Sequence, residues 1–165
     1  LARSDEDNLP VYTTQVDMTA MCKKVAAQMT LLAAEKRLQL KQEIQDNLIM
    51  QGDEMALSRL LIILLDNAMK YSPEQTQITL RAAKVKTHLV LEVRDEGCGI
   101  SDEDKQKIFD RFFRVDKARS RSQGGLGLGL SLALAIVRQH GGSIKVLDNK
   151  PRGTIIYVKL PMAAK

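Results

Sequence analysis

The stretch LIILLDNAMKYSP, residues 61–73, places five consecutive aliphatic residues, Leu61 to Leu65, directly before Asp66, Asn67, Lys70 and Tyr71. As a helix it constrains the fold strongly. Leu57, Leu61, Leu64 and Ala68 form one face that must pack on a sheet, while Ile63, Asn67, Lys70 and Tyr71 lie on or near the next face. Asp53 is placed to cap this helix and Ser72-Pro73 to stop it. Asn67 therefore projects beside the core near the helix C-terminus. An unpaired buried amide costs on the order of a few kcal/mol. Its carbonyl oxygen either meets a local group or ligates a hard cation such as Mg²⁺, which takes oxygen ligands and keeps several waters.

The flanking segments supply the sheet. LPVYTTQVD reads as a short strand, and Asp17 caps a helix from about Met18 to Lys36 with Met21, Val25, Met29 and Leu32 at helical spacing. LQLKQEI alternates as a half-buried strand does, and NLIMQG is a second short strand ending in a turn. QITLRAAKV and HLVLEVRD are strands joined through KVKT as a hairpin. SDEDKQKIF is a short helix capped by Ser101 or Asp102. LGLSLALAIVRQH is a longer helix closed by Gly141-Gly142, and SIKVLDN and TIIYVKLP are two last strands around NKPRG. This mixture predicts an α/β two-layer sandwich: a mixed, largely antiparallel sheet of about five strands packed on three helices.

Composition narrows the function. At 165 residues the chain is one domain with at most a short lead-in, long enough to bury a core without disulfide or metal staples. Cys22 and Cys98 show no metal-ligand spacing and fit a reducing compartment. No apolar run reaches the ~18 residues needed to span a bilayer. A net charge of +5 is too mild to argue for nucleic acid, and the low aromatic content, with no Trp, weakens any base-stacking reading, so no nucleic-acid partner is expected. Basic residues nevertheless cluster in DRFFRVDKARSRSQGG, where only Asp110 and Asp116 oppose Arg111, Arg114, Lys117, Arg119 and Arg121. Such a loop beside glycines either binds an anion or is simply solvated.

Three further constellations carry potential chemistry. In VLEVRDEGCGI, Asp95 shares the inward parity of Leu89, Leu91 and Val93, so it points inward at a strand end. An ionised carboxylate only accepts hydrogen bonds, and the exocyclic amine of a nucleobase would suit it. Gly97 and Gly99 then permit a turn that a side chain would block. In QGGLGLGLSLALA, Gly124, Gly125, Gly127 and Gly129 lead into a helix whose free N–H groups suit phosphate, although the pattern is neither a dinucleotide fingerprint nor a Walker loop. In RGTIIYVKL, Thr154 shares the inward parity of Ile156, Val158 and Leu160, and its hydroxyl can reach the spot where Asp95 points.

Each signal alone has a plain structural alternative. In this order, over nearly the whole chain, they resemble the ATP-binding domain of sensor histidine kinases, a Bergerat-type fold of the GHKL superfamily shared with gyrase B, heat-shock chaperones and mismatch-repair ATPases. LLDNAMKYS resembles the N box, DEGCGI the G1 box, IFDRFFRVDKARSR the F box and GGLGLGLSLA the G2 box. The three phenylalanines Phe109, Phe112 and Phe113 favour the kinase branch.

The resemblance implies Mg²⁺–ATP as ligand, with Asn67 as the Mg²⁺ ligand, Lys70 on phosphate and Tyr71 against adenine. It implies Asp95 as acceptor from the adenine amino group with Thr154 in support, and Gly97, Gly99 and Ile100 as the turn and wall of the base pocket. Arg114, and with it Arg119, would lie near the terminal phosphates. Gly125, Leu126, Gly127, Leu128, Gly129 and Leu130 would form the phosphate-binding turn, and residues about 108–128 an ATP lid. Asn67, Lys70 and Arg114 are the catalytic candidates.

The sequence departs from the family pattern at two places. Ile63 stands where the N box usually carries another Asn, and Leu126 where G2 usually has Thr or Ser. In the hydrolase branches the slot one turn before the metal ligand resembles a water-activating Glu; isoleucine cannot take a proton, so efficient hydrolysis by that route is not expected. Phosphoryl transfer, which rests on positioning and charge neutralisation, remains open.

Neither His88 nor His140 lies in a phosphoacceptor box, and residues 1–9 resemble the tail of a dimerisation helix preceding a catalytic domain over 10–165. The expected acceptor is thus a His on a separate dimerisation domain, with a response regulator as later partner. The expected setting is a monomeric cytoplasmic domain of a membrane-anchored parent, itself without membrane contact. The alternative is a nucleotide-binding pseudokinase module that regulates without transfer.

Overall fold

The computed structural model describes residues 13–110 and 129–163. Strand β1 (Thr14–Asp17) leads into helix α1 (Met18–Glu35), followed by β2 (Gln39–Ile44), β3 (Ile49–Gly52) and helix α2 (Glu54–Tyr71). The hairpin β4 (Gln77–Val85) and β5 (His88–Arg94) follows, then the single turn α3 (Asp102–Lys105). Helix α4 (Gly129–Gln139) and strands β6 (Ser143–Asp148) and β7 (Thr154–Pro161) complete the described chain. Residues 1–9, expected as a lead-in, lie outside the described residues.

The main sheet has five strands in the order β2-β4-β5-β7-β6, antiparallel except for the β2–β4 pair. That pair is parallel because β3 and α2 cross over between its strands, a path too long for a hairpin. Helices α1, α2 and α4 supply the second layer. Leu57, Leu60, Leu61, Leu64 and Leu65 of α2 are buried together with Leu80, Leu89, Leu91 and Val158 of the sheet. The two-layer sandwich expected from the sequence is the one observed. The two short early strands, β1 and β3, pair with each other as a separate ribbon instead of joining the sheet.

Local chemistry sets the helix ends. Asp17 Oδ1 accepts the Ala20 N–H at 3.0 Å, and Asp53 Oδ1 accepts the Ala56 N–H at 3.2 Å. Each satisfies a donor that the first helical turn leaves without an intrahelical partner. Ser101, one of two expected caps for α3, is the residue used: its Oγ accepts the Asp104 N–H at 3.2 Å. Helix α4 ends as Gly141-Gly142 predicts. Gly141 adopts φ 72°, its N–H donates to Arg138 O and the Gly142 N–H donates to Val137 O, both at 3.0 Å.

His140 ties α4 to α2. Its Nδ1 lies 2.8 Å from Ile136 O, while its Nε2 lies 3.0 Å from the Asp53 backbone nitrogen. A backbone N–H can only donate, so Nε2 accepts and the proton sits on Nδ1. This histidine is therefore an interhelical tie.

One detail differs from the sequence reading. On α1, Leu32 is 47% exposed and Ala33 is fully buried. After Met29 the buried stripe advances by four residues, not three, as a 3.6-residue period permits. On β5, Val90 and Glu92 are buried although they point to the outer sheet face. The Glu92 carboxylate is held by Arg81 Nη1 at 3.1 Å and Arg94 Nη2 at 2.8 Å, so long neighbouring side chains cover it.

Candidate functional site

The site is built where β5 runs out. Asp95 continues the inward parity of β5 and is only 7% exposed. Its backbone N–H donates to Thr154 O at 2.9 Å, extending the β5–β7 ladder by one step. Its Oδ1 accepts two backbone hydrogen bonds, from the Gly97 N–H at 2.9 Å and the Thr154 N–H at 3.1 Å. Among the described residues Oδ2 makes no hydrogen bond. Burial pushes the carboxyl pKa up, and the two N–H donors pull in the opposite direction. The result is an inward carboxylate with one oxygen engaged and the other available as an acceptor. Thr154 is likewise buried, as its parity predicts. Its contact to the Asp95 carboxylate runs through the backbone N–H.

The turn after Asp95 is held against the end of α2. A Cβ on Gly97 would come within 2.5 Å of Tyr71 O, so only glycine fits there. Gly99 adopts φ 79°, the left-handed region that glycine enters without steric cost. These two glycines place Asp95 beside the polar end of α2. There Asn67 is half-buried and its amide has no hydrogen-bond partner among the described residues. Lys70 lies along the same helix, its Nζ 3.1 Å from Asp66 Oδ2. Serine 72 completes the stop, its hydroxyl donating to Ala68 O at 2.7 Å.

The opposite wall is the start of α4. A Cβ on Gly129 would lie 3.5 Å from Ile63 Cγ2, so the helix start sits one turn of α2 below Asn67. Ile63, Ile100, Phe109 and Leu130 are partly buried and pack against the core. Direct contacts thus join Tyr71, Asp95, Gly97 and Thr154, and set Gly129 against Ile63, one turn before Asn67 on α2. Of the expected lid, Ile108 is buried, Phe109 half-buried and Asp110 exposed. Arg114, Arg119, Gly125, Leu126, Gly127 and Leu128 lie outside the described residues.

Among the described residues no group of three or more His, Cys, Asp or Glu side chains is placed to hold a metal ion. A lone amide oxygen at Asn67 suits an ion that brings phosphate and water as its other ligands. Cys22 is buried and its thiol is pushed up to about 12 by burial, whereas Cys98 is exposed; both are free.

The turn between β6 and β7 also contacts this site, through Asn149 and Arg152, which the sequence analysis gave no role, and through Gly153. Asn149 Nδ2 donates to Asp95 O at 2.8 Å, and Arg152 Nε donates to Gly97 O at 2.9 Å. Gly153, at φ 110°, lies so close to Asp95 O that any side chain would collide with it.

Comparison with known proteins places this geometry. A sequence model of the family described as histidine kinase-, DNA gyrase B-, and HSP90-like ATPase matches residues 52–164. The sensor protein CiaH of Streptococcus pneumoniae is 47% identical over 130 residues, which are 79% of this chain and 29% of CiaH. The sensor-like histidine kinase SenX3 of Mycobacterium tuberculosis is 32% identical over 148 residues, 90% of this chain and 36% of SenX3. The chain spans about a third of the length of these relatives. Among solved structures, the catalytic domain of the histidine kinase ThkA superposes with a TM-score of 0.82 at 25% identity, covering 92% of this chain and 96% of that one. The mycobacterial sensor histidine kinase MprB gives 0.78 at 28% identity, covering 93% and 99%. Its two-layer fold, its inward Asp95 beside the α2 terminus and the match over 52–164 lead to one assignment: the chain belongs to the family of histidine kinase-, DNA gyrase B- and HSP90-like ATPases.

Proposed function

We propose that this chain is the ATP-binding catalytic domain of a two-component sensor histidine kinase and transfers the γ-phosphoryl group of Mg²⁺–ATP to a histidine on a separate dimerisation domain. One observation carries the reading: Asp95 is buried with Oδ1 held by two backbone donors and Oδ2 unengaged among the described residues. That oxygen would accept from the adenine 6-amino group. Tyr71 and Ile100 would bound the base, and Asn67 would ligate Mg²⁺, which neutralises phosphate charge when bound. Lys70 would turn from Asp66 towards phosphate, and Arg114 and Arg119 would act at the terminal phosphates. Gly125 to Leu130 would cradle them. The names of the relatives, sensor proteins and histidine kinases, support the same assignment.

In the transfer, a P–N bond forms to the acceptor imidazole as the bond from the γ-phosphorus to the β–γ bridging oxygen breaks, and ADP leaves. A response-regulator aspartate would receive the phosphoryl group next. The parent would be membrane-anchored with this domain in the cytoplasm. No helix of the described residues is long and apolar enough to cross a membrane. Ile63 in the slot of a water-activating carboxylate favours transfer over hydrolysis. The test mixes the purified chain, γ-labelled ATP and a dimerisation domain carrying the acceptor histidine. Label should move to that histidine, with slow release of free phosphate. Tight ATP binding without labelled histidine would sink the kinase assignment.

A further inference from the structure

The segment after Asp95 belongs to no helix or strand until Asp102, and it contains Gly97 and Gly99. Left to itself it has little to fix it. The structure fixes it from outside, through the turn between β6 and β7. Asn149 Nδ2 donates to Asp95 O at 2.8 Å, and Arg152 Nε donates to Gly97 O at 2.9 Å. Lys105 Nζ, at the far end of the segment, pairs with Asp148 Oδ1 at 2.8 Å. The turn is itself braced: the Asn149 N–H donates to Gly153 O at 3.0 Å, and the next residue, Thr154, donates its N–H to Asp95 Oδ1.

The two segments meet closely at Gly153, which lies against Asp95 and Glu96, and part beyond it. An open cleft of about 430 Å³ separates residues 98–101 from residues 148–153. Beside the Gln77 N–H donated to Glu96 Oε1 at 2.8 Å and the close approach of Gly97 to Tyr71, the segment is held by two half-buried or exposed side chains of the turn, Asn149 and Arg152. Both act on carbonyls immediately beside the groups that set the Asp95 carboxylate. Gly97 offers the N–H of its 96–97 peptide to Oδ1, while Arg152 holds the C=O of the next peptide, 97–98, so the two peptide planes that meet at Gly97 are each tied by one hydrogen bond.

We propose that Arg152 and Asn149 are positioning residues that hold Asp95 in its base-reading geometry, so that selectivity for an amino-bearing purine is set partly by side chains that never touch the nucleotide. The proposal rests on the reading of Asp95 as the base acceptor. A hydrogen bond of this kind is worth roughly a 3- to 10-fold change in an equilibrium.

The test uses Arg152→Met, Asn149→Ala and Asp95→Asn in the full chain. Calorimetry compares ATP with purine riboside triphosphate, which lacks the 6-amino group, and NMR follows exchange of the Gly97 amide in the nucleotide-free protein. Both turn variants should weaken ATP by roughly 3- to 10-fold, leave the analogue within about 2-fold, and speed Gly97 exchange. Equal weakening of both nucleotides, or unchanged ATP affinity with unchanged Gly97 exchange, overturns the proposal. Should Arg152→Met fail to fold, Asn149→Ala decides through an independent hydrogen bond. Asp95→Asn separates the two levels. If it keeps the preference for ATP over the analogue, the base-acceptor reading falls. If it loses that preference while the turn variants keep it, only the positioning role falls.

Discussion

Replacing Asp95 by Asn should do more than remove a charge. Oδ1 accepts from Gly97 at 2.9 Å and Thr154 at 3.1 Å, both backbone donors fixed by the chain. In Asp95→Asn the amide must keep its carbonyl oxygen at that position. The flipped orientation would set its NH₂ against two buried N–H groups, at about 1–3 kcal/mol for each one left unpaired. The new NH₂ therefore occupies the Oδ2 position and faces the adenine amine, donor against donor. The lost charge-assisted hydrogen bond is worth about 1.5–3 kcal/mol, and the mismatch raises the total to about 2–4 kcal/mol. At about 1.4 kcal/mol per decade this is a loss of roughly 30- to 1,000-fold in ATP affinity. The same NH₂ suits a 6-oxo purine, so the ratio of ATP to inosine triphosphate affinity should fall further than ATP affinity alone. Isothermal calorimetry with both nucleotides at fixed Mg²⁺ reads both effects. ATP affinity within threefold of the parent, or an unchanged ratio, would refute the reasoning.

Protonated Asp95 presents a donor at Oδ2, and burial holds its pKa above the ordinary carboxylate value; ATP affinity should therefore fall at a higher pH than a surface carboxylate would give, a midpoint that a calorimetric pH series locates. For stability the sign is opposite. The folded state binds more protons than the unfolded state between the ordinary and the raised value, so stability falls as pH rises through that window and then levels, a trend absent in Asp95→Asn. Asn67→Ala should weaken binding with Mg²⁺ and leave binding in chelator nearly unchanged; equal loss in both would contradict the metal role. His140→Ala leaves the Asp53 N–H without its acceptor and should cost on the order of 1–3 kcal/mol in urea unfolding, and a change below about 0.5 kcal/mol would contradict the tie. A thiol reagent should label Cys98 in the native chain and Cys22 only after unfolding, as mass spectrometry of the labelled peptides would report.

What the sequence revealed followed from local rules. Asp17, Asp53 and Ser101 announce helix starts because capping depends on residues within one turn. Asp95 was legible because strand parity carries past Val93. Leu32 was misplaced because a 3.6-residue period allows either of two steps after Met29, and only packing chooses between them. The ribbon of β1 and β3 was hidden because short strands carry no record of their partners. The roles of Asn149 and Arg152 were out of reach for a different reason. Their contacts cross 54 and 55 residues, and the NKPRG run that holds them reads as turn chemistry and nothing more. Parity sets Thr154 beside Asp95 without saying that its backbone N–H makes the contact.

The two donors to Asp95 Oδ1 stand 2 and 59 residues away along the chain. The near one is present as soon as the turn after β5 exists. The far one arrives only when β7 inserts between β5 and β6, and β6 has no other strand neighbour. A chain emerging from the ribosome can close the β4–β5 hairpin early, since its pairing is local, but it holds an incomplete carboxylate site until residue 154 has been made and docked. On the proposed reading of Asp95, competence for nucleotide would be among the last properties the domain acquires. On that reading a half-made copy would sequester no ATP, and ligand capture by a newly refolded sample would report that the final strand is home.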